Sequence, residues 1–120
     1  MSSSVYEAAA QAYQQGDYEK MVALAREVLA HSDKDDYAHY LAAVGEKELG
    51  HLEASAQFAQ RSIQLNPHAS NARLLLATVW RQMGKIGEAE TEFKALRQEF
   101  PEHEVVASNY SFLLNDLKRF

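Results

Sequence analysis

Met83-Gly84-Lys85-Ile86, Leu49-Gly50-His51-Leu52 and Gln15-Gly16-Asp17-Tyr18 follow one pattern, and this pattern decides the fold of the 120-residue chain. The three glycines are 34 residues apart. Pro67 and Pro101 each follow the preceding glycine by 17 residues, so they are also 34 residues apart. Five landmarks in one register indicate an internal repeat, and a period of this length is typical of stacked repeat proteins.

Each repeat contains two segments with helical periodicity, one on either side of the glycine. In the clearest segment, Leu74, Leu75, Leu76, Val79 and Trp80 recur at the spacing of one helix face. Glycine can adopt a positive φ and end the first helix of each pair, whereas proline ends the second. The pattern predicts seven helices, with N-caps at Asp36 and Ser70, at about 3–15, 18–31, 36–49, 52–65, 70–83, 86–99 and 103–117.

Short connections between these helices make neighbouring helices antiparallel. One helix pair cannot bury its own apolar stripe, so we expect successive pairs to stack on one another. The sequence therefore predicts one all-α domain over residues 1–120. We divide it into repeats 2–35, 36–69 and 70–103, followed by a last helix in 104–120.

The composition agrees with a folded helical protein and excludes several functions. Apolar residues make up 47% and charged residues 24% of the chain, which is ordinary for a globular protein. The net charge of −5, without a cluster of Lys and Arg, argues against binding to nucleic acid or to an anionic membrane. The sequence shows neither a signal peptide nor an apolar run of the roughly 20 residues that span a bilayer. We therefore expect a cytoplasmic protein.

The repeat resembles the tetratricopeptide repeat family, in a bacterial-type form, and the resemblance covers nearly the whole chain. The third unit fits best, through Leu76-Ala77, Trp80, Ala89, Phe93 and Pro101. The second unit has Ala42-Ala43, Ser55, Ala59 and Pro67, but Glu46 stands where an aromatic residue is usual; the first has Ala8-Ala9, Ala12, Met21, Ala25 and Val28. The resemblance implies a right-handed α-solenoid of seven helices arranged as helix-turn-helix repeats.

The last segment, Asn109 to Phe120, is in register with the first helix of a fourth repeat, and Lys118 takes the place of the turn glycine. Two interpretations are open. The segment is a capping helix that shields the last pair, or the chain is a fragment of a longer array.

The resemblance also implies a concave face, lined by the first helix of each pair, that binds an extended peptide or a partner helix. Large amphipathic tyrosines are well suited to such contacts. The alternative is that several of these tyrosines pack between helices instead. The implied partner-binding residues, with Ala10 among them, are Tyr6, Tyr13, Tyr37, Tyr40, Val44, Lys47, Leu74, Thr78, Arg81, Asn109 and Phe112.

Other sites known in related families are not predicted. Some members clamp a terminal carboxylate with Lys, Arg and Asn, but the corresponding places here hold Tyr6, Ala10, Leu41, Asn71 and Leu75. The RNA-binding pentatricopeptide relatives have a period of 35 and basic surfaces. The five histidines show no His-x3-His pair, and the chain contains no cysteine, so we expect no metal site, no cofactor and no catalytic centre.

We therefore predict a non-enzymatic scaffold or adaptor that binds a protein or peptide in its concave groove. One alternative is an accessory repeat domain of a larger enzyme such as a transferase, since the phrasing around Gly50 and Gly84 looks like bacterial arrays that often precede transferase domains. Another is self-assembly into a homo-oligomer through an apolar face of the last helix, formed by Phe112, Leu113, Leu117 and Phe120.

Overall fold

Six α-helices make up the described part of the chain, which covers residues 2–100 of a computed structural model. They are α1 (Ser2–Gln14), α2 (Tyr18–His31), α3 (Asp36–Glu48), α4 (Leu52–Leu65), α5 (Ser70–Gln82) and α6 (Ile86–Glu99). Each begins and ends within one residue of its predicted bounds, and the all-α solenoid class is confirmed. The predicted seventh helix lies outside the described residues, as do the predictions made for Asn109, Phe112, Leu113, Leu117 and Phe120.

The three repeat glycines form the turns inside the helix pairs, as predicted. Gly16, Gly50 and Gly84 have φ values of 76°, 84° and 87°. At each turn the amide that follows the glycine donates back across the end of the helix, as Asp17 does to the Ala12 carbonyl at 2.8 Å. This is the Schellman arrangement, and only glycine adopts it without steric cost. Every helix pair is therefore closed by the same turn.

The N-caps of α3 and α5 lie one residue before the predicted Asp36 and Ser70. Asp35 caps α3, because its Oδ1 accepts a hydrogen bond from the Ala38 amide at 3.1 Å. Ala69 occupies the N-cap of α5 and offers no side-chain hydrogen bond. Both predictions were wrong for the same reason: Asp36 and Ser70 already have helical geometry and form the first turn of their helices.

The core is a chain of three apolar clusters that run along the stack and consist mainly of small residues. Their buried members are Ala9, Ala12, Met21, Ala25, Leu41 and Ala42 in the first cluster, Ala43, Ala56, Ala59, Leu75, Leu76 and Val79 in the second, and Ala77, Ala89 and Phe93 in the third. Tyr40, Val44 and Phe58 pack against both the first and the second cluster. Trp80 joins the second to the third. The helix pairs therefore share one continuous core.

Glu46, the residue that departs from the family pattern, is buried and held by charge. Its carboxylate lies 3.8 Å from the Arg26 guanidinium and 3.2 Å from His51 Nδ1. The Arg26 guanidinium in turn lies 5.3 Å from the centre of the Phe58 ring. A polar network from three helices thus occupies the place where an aromatic side chain is usual. Within residues 2–100, no helix has the length and apolar character needed to cross a membrane.

Candidate functional site

The helices form two layers, and the inner layer carries most of the predicted binding residues. In the described part of the chain, α1 contacts α3 and α3 contacts α5, whereas α2, α4 and α6 make no such contacts with one another. A stack that is closed on one side and open on the other is curved, with its closed layer on the concave side. The side chains of α1, α3 and α5 that point away from the outer layer therefore line the concave face.

Three tyrosines form a connected group on this face, and we name Tyr6, Tyr37 and Tyr40 the tyrosine cluster. The rings of Tyr6 and Tyr37 meet edge to face, with centroids 5.1 Å apart and planes at 79°. The rings of Tyr37 and Tyr40 are stacked, with centroids 6.1 Å apart and planes at 22°. Both arrangements are favourable for aromatic pairs. The structure thus brings together side chains from α1 and α3 that the repeat pattern assigned to one groove.

The members of the tyrosine cluster differ in depth. Tyr37 is 47% exposed and, with Tyr13 at 46%, is one of two exposed large hydrophobic residues in the described part. Tyr40 is partly buried between the first two core clusters, and burial raises the pKa of its hydroxyl. Tyr6 packs against the first cluster. The cluster therefore presents an aromatic surface through Tyr37 on a base formed by Tyr6 and Tyr40.

Tyr6 is also tied to the N-cap of the next inner helix. Its hydroxyl donates a hydrogen bond to Asp35 Oδ2. Burial, this hydrogen bond and the charges of Asp35 and Asp36 raise the pKa of Tyr6 to about 12. The contact links α1 to the start of α3 and orients the Tyr6 ring against Tyr37.

The remaining predicted residues have varied surroundings. Val44 packs against the first two core clusters, and Leu74 packs against the third. Thr78 donates its hydroxyl to the Leu74 carbonyl at 2.9 Å, so it bonds within its own helix. Lys47 lies 3.5 Å from the Glu48 carboxylate. These side chains form a partly buried continuation of the groove.

The outer predicted residues on this face lie toward the C-terminal ends of the inner helices. The Tyr13 ring contacts the Tyr18 ring edge to face at 5.9 Å, which joins α1 to α2. Arg81 is partly buried near the end of α5. The repeat register places Arg81 34 residues after Lys47, so both cations are on the same edge of the groove.

A cleft of about 280 Å³ opens beside the tyrosine cluster, between the N-terminal ends of α3 and α5. Tyr37 and Tyr40 form part of one wall together with Asp36, and the first turn of α5 forms another. Asn66 donates a hydrogen bond from Nδ2 to Asp36 Oδ2 at 3.1 Å. Ser62, at the base of the cleft, donates to the Asp36 carbonyl at 2.8 Å. We predicted neither Asp36 nor Asn66 as a site residue.

The places that would hold a carboxylate clamp contribute no cation in this structure. Leu41 and Leu75 are 6% and 9% exposed and belong to the core. Tyr6 is engaged with Asp35, and Asn71 lines the cleft. Within residues 2–100, no three His, Asp or Glu side chains are grouped as metal ligands would be. The chemistry of this face is aromatic and acidic.

Stacked antiparallel helix pairs, with glycine turns at a fixed period and a concave inner layer, define an α-solenoid repeat protein. The profile of the tetratricopeptide repeat family matches residues 46–108, more than half of the chain. The chain therefore belongs to the tetratricopeptide repeat family. No curated protein sequence matches it significantly.

Solved structures of the family superpose closely on this chain at low sequence identity. The first TPR domain of human RPAP3 gives a TM-score of 0.92 at 13% identity, over 99% of this chain and 94% of that one. The second TPR domain of human RPAP3, in complex with the HSP70 peptide SGPTIEEVD, gives 0.84 at 16% identity over 91% of both chains. The Yersinia enterocolitica chaperone SycD, in complex with a peptide of the translocator YopD, gives 0.85 at 17% identity over 97% of this chain and 91% of that one. These likenesses concern the fold.

Proposed function

We propose that this protein is a non-enzymatic adaptor that binds a peptide or a partner helix on the concave face of α1, α3 and α5. The observation that carries the proposal is the tyrosine cluster, in which Tyr37 remains 47% exposed although it contacts two other rings. An exposed aromatic group on a rigid base offers a large apolar area with few rotors to immobilise, which is the composition favoured in protein interfaces.

The peptide complexes of structural neighbours support a groove of this type. The second TPR domain of RPAP3 binds a peptide of HSP70, and SycD binds a peptide of YopD. The HSP70 peptide SGPTIEEVD ends in acidic residues. This chain has Tyr6, Leu41 and Leu75 at places where a carboxylate clamp would need polar or cationic side chains, so its partner is a different kind of segment.

The same reasoning supports a cytoplasmic scaffold without catalytic activity. The groove combines aromatic, aliphatic and acidic side chains, and the nucleophiles or paired acid–base groups of an active site are not among those we identified on it. The interpretations as a homo-oligomer and as an accessory domain of a larger enzyme depend on residues outside 2–100, and they stay predictions.

The test is to select peptides from a random dodecapeptide library, terminally blocked to remove end charges, against the full chain. Each peptide is then titrated into the wild type, the Tyr37→Ala variant and a Gln57→Ala control, since Gln57 is exposed on α4 of the outer layer. We expect Tyr37→Ala to weaken binding at least tenfold and Gln57→Ala to leave it unchanged. Equal affinity for all three proteins would place the binding surface elsewhere and overturn the proposal.

A further inference from the structure

The cleft beside the tyrosine cluster has a chemical character that the groove as a whole does not share. Tyr37 and Tyr40 are stacked with their planes at 22° and form part of its lining. The Asp36 carboxylate stands next to them and accepts a hydrogen bond from the neutral Asn66 amide. In the part of the chain that the structure describes, no basic side chain is paired with Asp36. Aromatic rings and a carboxylate therefore share the cleft without a cation between them.

Two further features add negative potential at this end of the groove. Asp35 lies directly before Asp36, and its carboxylate accepts from the Tyr6 hydroxyl and the Ala38 amide. The whole chain carries a net charge of −5, which favours the approach of a basic segment over an acidic one. A ligand carboxylate placed in the cleft would face two aspartates, whereas a ligand cation would face two aspartates and the electron-rich faces of the rings.

We propose that the cleft formed by Asp36, Tyr37, Tyr40 and Asn66 binds the Lys or Arg side chain of a partner peptide, with its charge against Asp36 and its stem against the rings. The proposal rests on the proposed function, because it assigns the chemistry of one subsite in the same groove. It gives the partner a defined feature: a basic residue next to the apolar residues that cover the tyrosine cluster.

The opposite wall of the cleft suits the main chain of the same basic residue. It is formed by the first turn of α5, including Ser70, Asn71 and Ala72, and the N-cap Ala69 offers no side-chain acceptor to these amides. The first amides of a helix have no partner within the helix and favour carbonyl or anionic oxygens. A basic residue brings its own backbone carbonyl, so it can satisfy both walls of the cleft.

The experiment uses the Tyr37-dependent dodecapeptides selected against the full chain. Each Lys or Arg in these peptides is replaced in turn by Gln and by Glu, and every version is titrated into the wild type and into Asp36→Asn. This substitution removes the charge but keeps the size of the side chain and its bond to Asn66. Asp33→Asn is the matched control, since it makes the same change in net charge at an exposed turn residue outside the cleft.

We expect one basic residue per peptide whose change to Gln weakens binding about threefold to thirtyfold, the range of a cation held by aromatic faces and a carboxylate. The Glu version binds more weakly still. Asp36→Asn weakens the parent peptide but not its Gln version, whereas Asp33→Asn affects both equally. In the cleft itself, Tyr37→Phe retains the preference for the basic residue and Tyr37→Leu reduces it.

Three outcomes would overturn the proposal. Tyr37-dependent peptides that lack Lys and Arg, or that bind equally well after the change to Gln, would show that the groove is used without a cationic subsite. Equal effects of Asp36→Asn and Asp33→Asn would reduce the preference to overall charge. A library that yields no Tyr37-dependent peptide would contradict the proposed function together with this subsite, and so would be distinguishable from the first two outcomes.

Discussion

Gly45 of α3 and Val22 of α2 approach so closely that a Cβ on residue 45 would lie 2.5 Å from Val22 Cγ2. The same Cβ would lie 3.2 Å from the Tyr18 carbonyl oxygen, which belongs to the backbone and cannot rotate away. The contact joins the second helix of one pair to the first helix of the next. Gly45 therefore sets how near two neighbouring repeats can be.

We predict that Gly45→Ala lowers the free energy of unfolding by about 1 kcal/mol or more, because overpacking of about 1–3 kcal/mol outweighs the better helix propensity of alanine. Gly87→Ala is the matched control: Gly87 lies in α6, and a Cβ there meets nothing within 4 Å. We expect the control to be neutral or more stable by up to about 1 kcal/mol. Urea denaturation measures both, and a stable Gly45→Ala variant would show that α2 and α3 can separate at little cost.

Tyr40 and Tyr37 are three residues apart on α3, yet we expect very different effects on stability. Tyr40 packs against two core clusters, so Tyr40→Ala should lower the free energy of unfolding by about 2–4 kcal/mol. Tyr37 is 47% exposed, so Tyr37→Ala should cost less than about 1 kcal/mol. Chemical denaturation of the two variants decides this. If both variants lose the same stability, Tyr37 belongs to the core, and a loss of peptide binding in its variant would no longer report the groove.

Tyr6 makes the fold sensitive to alkaline pH. Burial, the hydrogen bond to Asp35 and nearby carboxylates raise the pKa of Tyr6 from 10.0 to about 12. Between these values the unfolded chain has released a proton that the native state still holds, so the free energy of unfolding falls as the pH rises. The contribution of Tyr6 is complete below pH 10 and is lost as the pH approaches about 12.

We therefore predict that Tyr6→Phe flattens the decline of stability above pH 10, while the exposed-site control Tyr13→Phe keeps the slope of the wild type. Denaturation midpoints measured across this range test the prediction. The variant should also be less stable at neutral pH by about 0.5–1.5 kcal/mol, because it loses the hydrogen bond to Asp35. An unchanged slope in Tyr6→Phe would assign the alkaline loss to other groups.

Ser55 is fully buried and donates its hydroxyl to the Ala43 carbonyl at 2.7 Å. The third repeat has Ala89 at the equivalent place, also fully buried. We predict that Ser55→Ala changes the free energy of unfolding by less than about 1 kcal/mol, because the carbonyl keeps its own helical partner and no polar group is left unpaired. Ser55→Val should cost about 1–3 kcal/mol through overpacking. Thermal unfolding separates the two; a large loss in Ser55→Ala would show that the hydrogen bond itself positions α4 on α3.

The sequence was sufficient for the fold because its main signals are local. A glycine that must adopt a positive φ and a proline that follows a helix both act within a few residues, so Gly16, Gly50, Gly84 and Pro67 were enough to place the helices described here. The N-caps were misplaced by one residue because Asp35 and Asp36 are adjacent and chemically identical, and only their partners tell them apart.

The site was less predictable, because its features depend on contacts between distant residues. The repeat register assigned Tyr37 and Tyr40 to one face, but their depths differ because Tyr40 lies against two core clusters. Asp36 and Asn66 are 30 residues apart and meet only after α4 folds back on α3. The acidic stretch Asp33 to Asp36 was the only signal for the cleft, and it was equally consistent with a solvated turn. Likewise, nothing in the sequence showed that Glu46 is buried with Arg26.

Tyr40, Val44 and Phe58 belong to two core clusters at once, and this leaves no seam at which the array can be divided. A repeat removed, exchanged or grafted at the boundary before α5 would take half of a shared packing surface with it. The modularity visible in the 34-residue spacing is therefore a property of the chain's construction and not of its unfolding. We expect α1 to α6 to melt as a single cooperative unit, so that a peptide bound near Tyr37 on the first two repeats would also protect the third.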